Sequence, residues 1–212
     1  TGVQTCALPI CAGPTARRRR ATPTPPGCST CCTTSKKQAA PAEGEIRIAV
    51  IQTPKLSNFT DFDSLAAEPD VSLYYVQQAD DLGEPDLILL PGSKNTTEDL
   101  LYLRQSGIEA RIRARVETGT PLWGICGGYQ MLGRTVSDPE QVEAAGVTEI
   151  SGMGLLDMDT EFRGEKVQTQ TRGVIGGVEG MLAGLNGLAY EGYEIHMGRT
   201  ALLGDVPESP VA

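Results

Sequence analysis

The stretch Pro121–Gly133 reads PLWGICGGYQMLG and places one cysteine, Cys126, between an apolar run and two glycines. The apolar run predicts a buried strand, and the residues from Tyr129 to Leu132 predict a helix that follows directly. Cys126 would then lie on a tight strand-to-helix turn, which has the form of a nucleophile elbow with sulfur in place of the serine oxygen. Glycines suit such a turn because its backbone is strained and neighbouring chains approach it closely.

That geometry would serve chemistry in two ways. A helix N-terminus favours the thiolate form of Cys126, which is the nucleophilic form. The backbone N–H of Gly127 would point to the place where an oxyanion forms during attack on a carbonyl. The alternative is a buried core cysteine that ends a strand, since free cysteine packs as a small hydrophobe. The three framing glycines favour the elbow.

Segments on both sides of the elbow extend this pattern into an α/β domain. Strands are predicted at Ile46–Ile51, Val71–Val76 and Asp86–Leu90, all short and apolar. Helices are predicted around Phe62–Ala67, from a cap at Asn95 or Thr96 to about Gln105, and over Ile108–Glu117. Strands that alternate with helices predict a mostly parallel sheet with helices on both faces.

The pattern loosens beyond Leu132. Residues Ser137–Ala145 are polar and compatible with a helix, whereas Met153–Phe162 and Val167–Val174 alternate partly and predict extended chain. Leu188–Met197 predicts one more strand. These segments would form an antiparallel extension of the sheet.

The histidine His196, the only one in the chain, is the candidate partner of Cys126. A thiol that attacks an amide or ester needs a group that moves protons, most often histidine. The alternative is a partly buried structural histidine. Glu194 is a possible orienter of the imidazole because it lies two positions earlier on a strand. An ordinary surface carboxylate is the simpler interpretation of Glu194, and the third catalytic partner stays unassigned.

The turn Pro91-Gly92-Ser93-Lys94-Asn95-Thr96 follows the third strand. It lacks the first glycine and the Gly-Lys pair of a phosphate-binding loop, and no other stretch of the sequence supplies one. Because this turn opens at the same sheet edge as Cys126, the N–H groups of Gly92 and Ser93 would complete the oxyanion hole.

Charge divides the chain into two parts. Residues 1–44 carry a net charge of +5 and residues 45–212 one of -14, within a total of -9. The acidic total argues against nucleic-acid binding. No apolar run could span a bilayer, and no secretory signal is present, so we expect a cytoplasmic protein.

Residues 1–44 hold five of the six cysteines, a run of four arginines and a Thr/Pro tract. We expect this segment to be a disordered or artefactual leader. A zinc site at Cys28, Cys31 and Cys32 would lack ligands, because a structural zinc needs four; no metal site is therefore expected. The alternative is that the run of arginines serves as a targeting or RNA-binding patch.

Four segments in this order resemble one family: SNFTDFD (57–63), PGSKNT (91–96), GICGGYQMLG (124–133) and YEIHMGRT (193–200). They are similar to the C-terminal class I glutamine amidotransferase domain of cobyric acid synthases. The resemblance implies a flavodoxin-like domain over residues 45–200, with a truncated tail at 201–212. It also implies that Cys126 attacks the side-chain amide of L-glutamine, with His196 as acid/base partner.

Further roles follow from position beside the predicted elbow. Gly92 and Gly127 would form the oxyanion hole, and Ser93 and Gln130 are candidate substrate-binding residues by position. Many class I relatives have a glutamate two residues after the histidine, but Gly198 occupies that position here.

The resemblance also implies a synthetase domain that this sequence lacks, where ATP and Mg²⁺ would act on a corrinoid. We therefore expect a fragment that needs no cofactor of its own and supplies ammonia for amidation of adenosylcobyrinic acid a,c-diamide. The alternatives are an amidotransferase that serves another ligase, for cobyrinic acid or a cell-wall precursor, and a non-catalytic association domain. SNFTDFD favours the first interpretation.

Overall fold

The computed structural model describes residues 44–143 and 146–203, without the side chains of residues 165–167, 181–182 and 194–196. Four parallel strands form the central sheet in the order β2-β1-β3-β4. They are β1 (Ile46–Ile51), β2 (Val71–Val76), β3 (Leu87–Leu90) and β4 (Leu122–Gly124). All four strands that the apolar runs predicted are present, so the parallel α/β architecture is confirmed.

Helices connect the parallel strands. They are α1 (Asp63–Ala66), which follows a 3-10 turn at Phe59–Phe62, α2 (Thr96–Gln105), α3 (Ile108–Glu117) and α4 (Gly127–Met131). Asn95 is the N-cap of α2, since its side-chain oxygen accepts a hydrogen bond from the N–H of Glu98. A cap of this kind satisfies one of the free N–H groups at the helix start.

A second sheet follows in the chain, and it is the predicted antiparallel part of the fold. Its strands are β5 (Thr135–Ser137), β6 (Glu149–Ser151), β7 (Met158–Val174) and β8 (Ala189–Leu202), in the order β6-β5-β7-β8. These strands pair only with one another, so the extension is a separate sheet, and β5 pairs with β7 in parallel. The long β7–β8 pair is antiparallel and shifts register between Phe162 and Val167.

The possible helix over Ser137–Ala145 does not form in the described part, which ends at Glu143. The chain instead makes turns after β5, and Gln141 has a φ of 53°. A left-handed residue of this kind does not fit within an α-helix. The hydrogen bonds of Asp138 to the N–H groups of Val142 and Glu143 explain the turn, because a local side-chain acceptor competes with helical bonding.

The two faces of the central sheet are covered differently. Alternate residues of β1 point to opposite faces, with Ala49 and Ile51 in the larger cluster and Ile48 and Val50 in the smaller one. The larger cluster includes apolar side chains of α2, α3, α4 and the second sheet. The smaller cluster contains Phe62 and has Leu65 of α1 packed against it. The second sheet therefore packs on the same side as α2 and α3.

The expected leader at residues 1–44 lies outside the described residues up to position 43, and the expected tail at 201–212 lies outside them from position 204 onward. Strand β8 continues to Leu202, two residues past the expected domain boundary. No helix among the described residues is long and apolar enough to cross a membrane.

Candidate active site

Cys126 occupies the turn between β4 and α4 with a strained backbone, at a φ of 50° and a ψ of -112°. Such angles are costly for a residue with a Cβ and persist only where the surrounding structure imposes them. The surroundings do so through close packing. A Cβ on Gly124 would lie 2.7 Å from the nitrogen of Tyr129, and one on Gly128 would lie 2.6 Å from the carbonyl oxygen of Pro91.

The two turns predicted to form an oxyanion hole lie against each other. A Cβ on Gly127 would come within 2.9 Å of the backbone nitrogen of Ser93, and one on Gly92 would lie 3.6 Å from the Cβ of Cys126. The carboxyl ends of β3 and β4 are neighbours in the sheet, so their following turns meet at one edge. The structure thus brings Gly92, Ser93, Cys126 and Gly127 together.

A buried carboxylate organises the turn after β3. Asp99 is fully buried and accepts hydrogen bonds from the hydroxyl of Ser93 at 2.6 Å and from the N–H of Lys55 at 3.0 Å. The Ser93 oxygen in turn accepts the N–H of Asn95 at 2.9 Å. The hydroxyl of Ser93, a candidate substrate-binding group, is therefore engaged within the turn.

Burial raises the pKa of the Cys126 thiol, and the carboxylates of Glu143 and Asp61 raise it further. A hydrogen bond from the backbone N–H of Gly127 acts in the opposite direction. The pKa of the Cys126 thiol thus lies above its ordinary value although the residue is exposed at the surface, which is opposite to the thiolate preference expected at a helix N-terminus. The reason is that α4 has five residues, so its dipole is small, and desolvation of the charged form outweighs it.

His196 lies in β8, where its backbone pairs with Val167 just after the register shift. The side chains of His196 and Glu194 lie outside the described part of the structure. Strand β8 approaches α4 two residues later, because a Cβ on Gly198 would collide with the side-chain amide of Gln130 and lie 3.1 Å from the Phe162 ring. A side chain at position 198 would therefore require the Gln130 side chain to move.

Gln130, the second candidate substrate-binding residue, lies on α4 and is 7% exposed. Its side-chain oxygen lies 3.5 Å from the hydroxyl of Thr96, which donates to it. Gln130 thus links the start of α2 to α4 and to β8, and little of its surface remains open.

Two carboxylates near Cys126 were not identified from the sequence. Glu143 belongs to the polar segment after β5, and Asp61 to the SNFTDFD segment, which the sequence analysis used only for the resemblance. Backbone bonds hold that segment beside the site, since the N–H of Ser57 donates to the carbonyl of Gly92 at 2.9 Å. The distance of both residues from Cys126 along the chain left no local signal that would place them there.

No group of His, Cys, Asp and Glu side chains within the described ranges is arranged to hold a metal ion.

Comparison with known proteins agrees with the geometry. The model of the CobB/CobQ-like glutamine amidotransferase domain family matches residues 47–209. A cobyric acid synthase from Pelotomaculum thermopropionicum is 53% identical over 161 residues, which are 76% of this chain and 30% of that protein. A cobyric acid synthase from Moorella thermoacetica is 52% identical over 164 residues, which are 77% of this chain and 32% of that protein.

The chain thus spans about a third of the length of these curated relatives. Among solved structures, a glutamine amidotransferase matches with a TM-score of 0.51 at 19% identity. The match covers 74% of this chain and 75% of that one. At this identity the likeness establishes the fold.

Proposed function

The chain belongs to the family of CobB/CobQ-like glutamine amidotransferase domains, and on that premise we propose that Cys126 hydrolyses L-glutamine to glutamate and ammonia. The observation that carries the proposal is the strained turn at Cys126, whose sulfur accepts the N–H of Gly127 beside the turn of Gly92 and Ser93. A backbone donor that already bonds the sulfur lies close to where the oxyanion forms when that sulfur attacks a carbonyl.

The reaction begins from a protonated thiol, because burial raises the pKa of Cys126. In the proposed first step His196 takes the thiol proton while the sulfur bonds to the amide carbon of glutamine. The carbonyl oxygen becomes an oxyanion held by the N–H groups of Gly127 and Gly92. The carbon–nitrogen bond then breaks, and ammonia leaves with the proton from His196.

The second half hydrolyses the glutamyl thioester. Water gives a proton to His196 and attacks the thioester carbon, and the same two N–H groups hold the second oxyanion. The carbon–sulfur bond breaks, glutamate is released and the thiol regains its proton. Ser93 and Gln130 remain proposed contacts of the substrate.

The names of the relatives support a use for the ammonia that Cys126 would release. We propose that the longer protein uses it to amidate adenosylcobyrinic acid a,c-diamide, with ATP and Mg²⁺ bound by other parts of the polypeptide. The sequence supports this division, since it has no phosphate-binding loop of the Gly-x-x-x-x-Gly-Lys-Ser/Thr kind.

The test is covalent labelling by a diazo-ketone analogue of glutamine, together with ammonia release measured in a coupled assay. We expect labelling at Cys126 and loss of ammonia release in Cys126→Ala. Cys28→Ala is the matched control, because it removes a cysteine outside the family match and should leave both readouts unchanged. Ammonia release that persists in Cys126→Ala would contradict the proposal, and absence of both labelling and release in the unmodified chain would favour a non-catalytic association domain.

A further inference from the structure

A short segment after β5, residues 138–143, folds back onto the start of α2; we refer to it as the acidic loop. Asp138 is 1% exposed, and its two carboxylate oxygens accept the N–H groups of Val142 at 2.8 Å and Glu143 at 2.9 Å. These bonds fix the backbone of the acidic loop. They therefore also fix the point from which the Glu143 side chain extends.

Glu143 reaches the first turn of α2. Its carboxylate accepts the backbone N–H of Thr96 at 2.8 Å and the hydroxyl of the same residue at 3.3 Å. Its carbonyl oxygen accepts the side-chain amide of Asn95 at 2.9 Å. The first N–H groups of a helix have no partner within the helix, so a carboxylate there satisfies donors that burial would otherwise leave unpaired.

The end of α2 held by Glu143 also borders the nucleophile turn. A Cβ on Gly127 would lie 3.1 Å from the hydroxyl oxygen of Thr96 and 2.9 Å from the nitrogen of Ser93. Any outward movement of the α2 start would therefore separate the turn of Gly92 and Ser93 from Gly127. The spacing of the oxyanion donors depends on that contact.

We propose that Glu143 is a positioning residue that holds the start of α2, and with it the Gly92–Ser93 turn, against Gly127. The proposal rests on the proposed function, because the spacing matters for a reaction that forms an oxyanion. Glu143 acts through Thr96 and Asn95 and needs no contact with the substrate.

The negative charge of Glu143 disfavours the thiolate of Cys126, whereas the hydrogen bonds of Glu143 support the spacing of the oxyanion donors. Together with Asp61, this carboxylate raises the pKa of the Cys126 thiol, which disfavours the nucleophilic form. Glutamine at position 143 keeps an oxygen that accepts from Thr96 and removes the charge. Geometry and charge can therefore be separated by substitution.

The experiment measures ammonia release from glutamine by the full chain and its Glu143→Ala and Glu143→Gln variants. We expect Glu143→Ala to lower kcat about tenfold or more with little change in KM, a smaller loss than removal of an oxyanion donor itself. Glu143→Gln should keep kcat within about threefold of the unmodified chain. The matched control is Glu98→Ala, which removes a half-exposed carboxylate from the same helix turn and leaves the Thr96 bonds intact.

Thermal unfolding of each variant separates positioning from loss of the fold. Should Glu143→Ala unfold, Glu143→Asp decides, since it keeps the charge but shortens the side chain by one methylene and so withdraws the carboxylate from the Thr96 N–H; an unchanged kcat in Glu143→Asp would then overturn the proposal. An unchanged kcat in a folded Glu143→Ala variant, or an equal loss in Glu143→Gln and Glu143→Ala, would overturn it as well.

A second readout does not depend on glutaminase activity. The rate of Cys126 alkylation by iodoacetamide against pH should shift to lower pH in Glu143→Gln, because a negative charge near the thiol is removed. A shift without any ammonia release from the unmodified chain would defeat the proposed function while still placing Glu143 beside Cys126. Ammonia release without a shift would mean that the charge of Glu143 does not act on the thiol, and the kcat of Glu143→Ala alone would then decide the inference.

Discussion

Opposing influences act on the Cys126 thiol. Burial and two carboxylates raise its pKa, and the N–H of Gly127 lowers it. The net direction is upward, which favours the thiol over the thiolate. The proposed attack by Cys126 therefore needs a base, the role proposed for His196.

Asp61→Asn tests the electrostatic part of that balance. The variant removes a negative charge that raises the pKa of Cys126, so the pH at which iodoacetamide alkylation reaches half its maximal rate should fall. In the unmodified chain this pH should lie above that of an ordinary thiol. The control is Asp63→Asn, whose carboxylate raises the pKa of Tyr75 instead. Equal shifts in both variants would contradict the prediction.

Thr53 offers a residue-scale test of stability. It lies just after β1, is 4% exposed, and its hydroxyl has no hydrogen-bond partner among the described residues. Valine has nearly the same shape and no buried polar group, so Thr53→Val should raise the free energy of unfolding by about 1 kcal/mol. Thr160→Val is the opposite case, because the Thr160 hydroxyl bonds that of Thr200 at 2.9 Å. In thermal unfolding, the Tm of Thr53→Val should be higher than that of the unmodified chain, and the Tm of Thr160→Val should be lower.

At the scale of elements, the site depends on neighbouring strands β3 and β4 ending at one sheet edge. Apolar runs and a helix cap at Asn95 predicted these elements because each is a local pattern of burial or backbone bonding. Cys126, Gly92 and Gly127 could therefore be placed near each other from sequence. Glu143 could not, because its position depends on how the acidic loop packs on α2.

The same contrast applies to the second sheet. The short strands β5 and β6 have three residues each, too few to show alternation, and the turn at Gln141 has no glycine to mark it. Long β7 was predicted as two segments, and the register shift after Phe162 accounts for the gap between them. Period-2 patterns reveal regular strands and miss irregular or very short ones.

Glu109 connects three elements and provides a test at this scale. It lies on α3, is 8% exposed, and pairs with Arg104 of α2 and Arg113 of α3. The Arg104 side chain also donates to the carbonyl of Ser151 at 2.9 Å, and so ties the helices to β6. Removing Glu109 would leave Arg104 and Arg113 without the carboxylate that both of them contact.

We therefore expect Glu109→Ala to lower the free energy of unfolding by about 2 kcal/mol, since each bond to a charged group contributes about 1.5–3 kcal/mol and both arginines are partly exposed. Glu117→Ala, an exposed acid at the end of α3, should change stability by less than about 0.5 kcal/mol. Denaturant unfolding of both variants measures the difference. Equal stability of the two variants would show that the Glu109 pairs contribute nothing.

At the scale of the whole molecule, the two faces of the central sheet are covered to different extents by other elements. Helices α2, α3 and α4 and the second sheet pack over the larger cluster. On the opposite face the smaller cluster has four buried residues, with partly buried side chains such as Trp123 and Ile125 around it. A parallel sheet is normally covered on both faces. In the described part of the chain, the face of the sheet with the smaller cluster, beneath the strand β4 that leads to Cys126, is thus the less covered one.

Trp123, the single tryptophan of the chain, reports on that face. Phe62 is 3% exposed and belongs to the cluster against which Trp123 packs, so Phe62→Ala should shift Trp123 emission to the red and increase its quenching by acrylamide. The variant should also lose about 3 kcal/mol of stability. Phe162→Ala removes an equally buried ring from the larger cluster and should cost a similar amount with no change in Trp123 emission. Equal emission shifts in both variants would mean that the two clusters are not separate. Because β4 leads directly into Cys126, the Phe62→Ala variant should also be labelled less by the glutamine analogue.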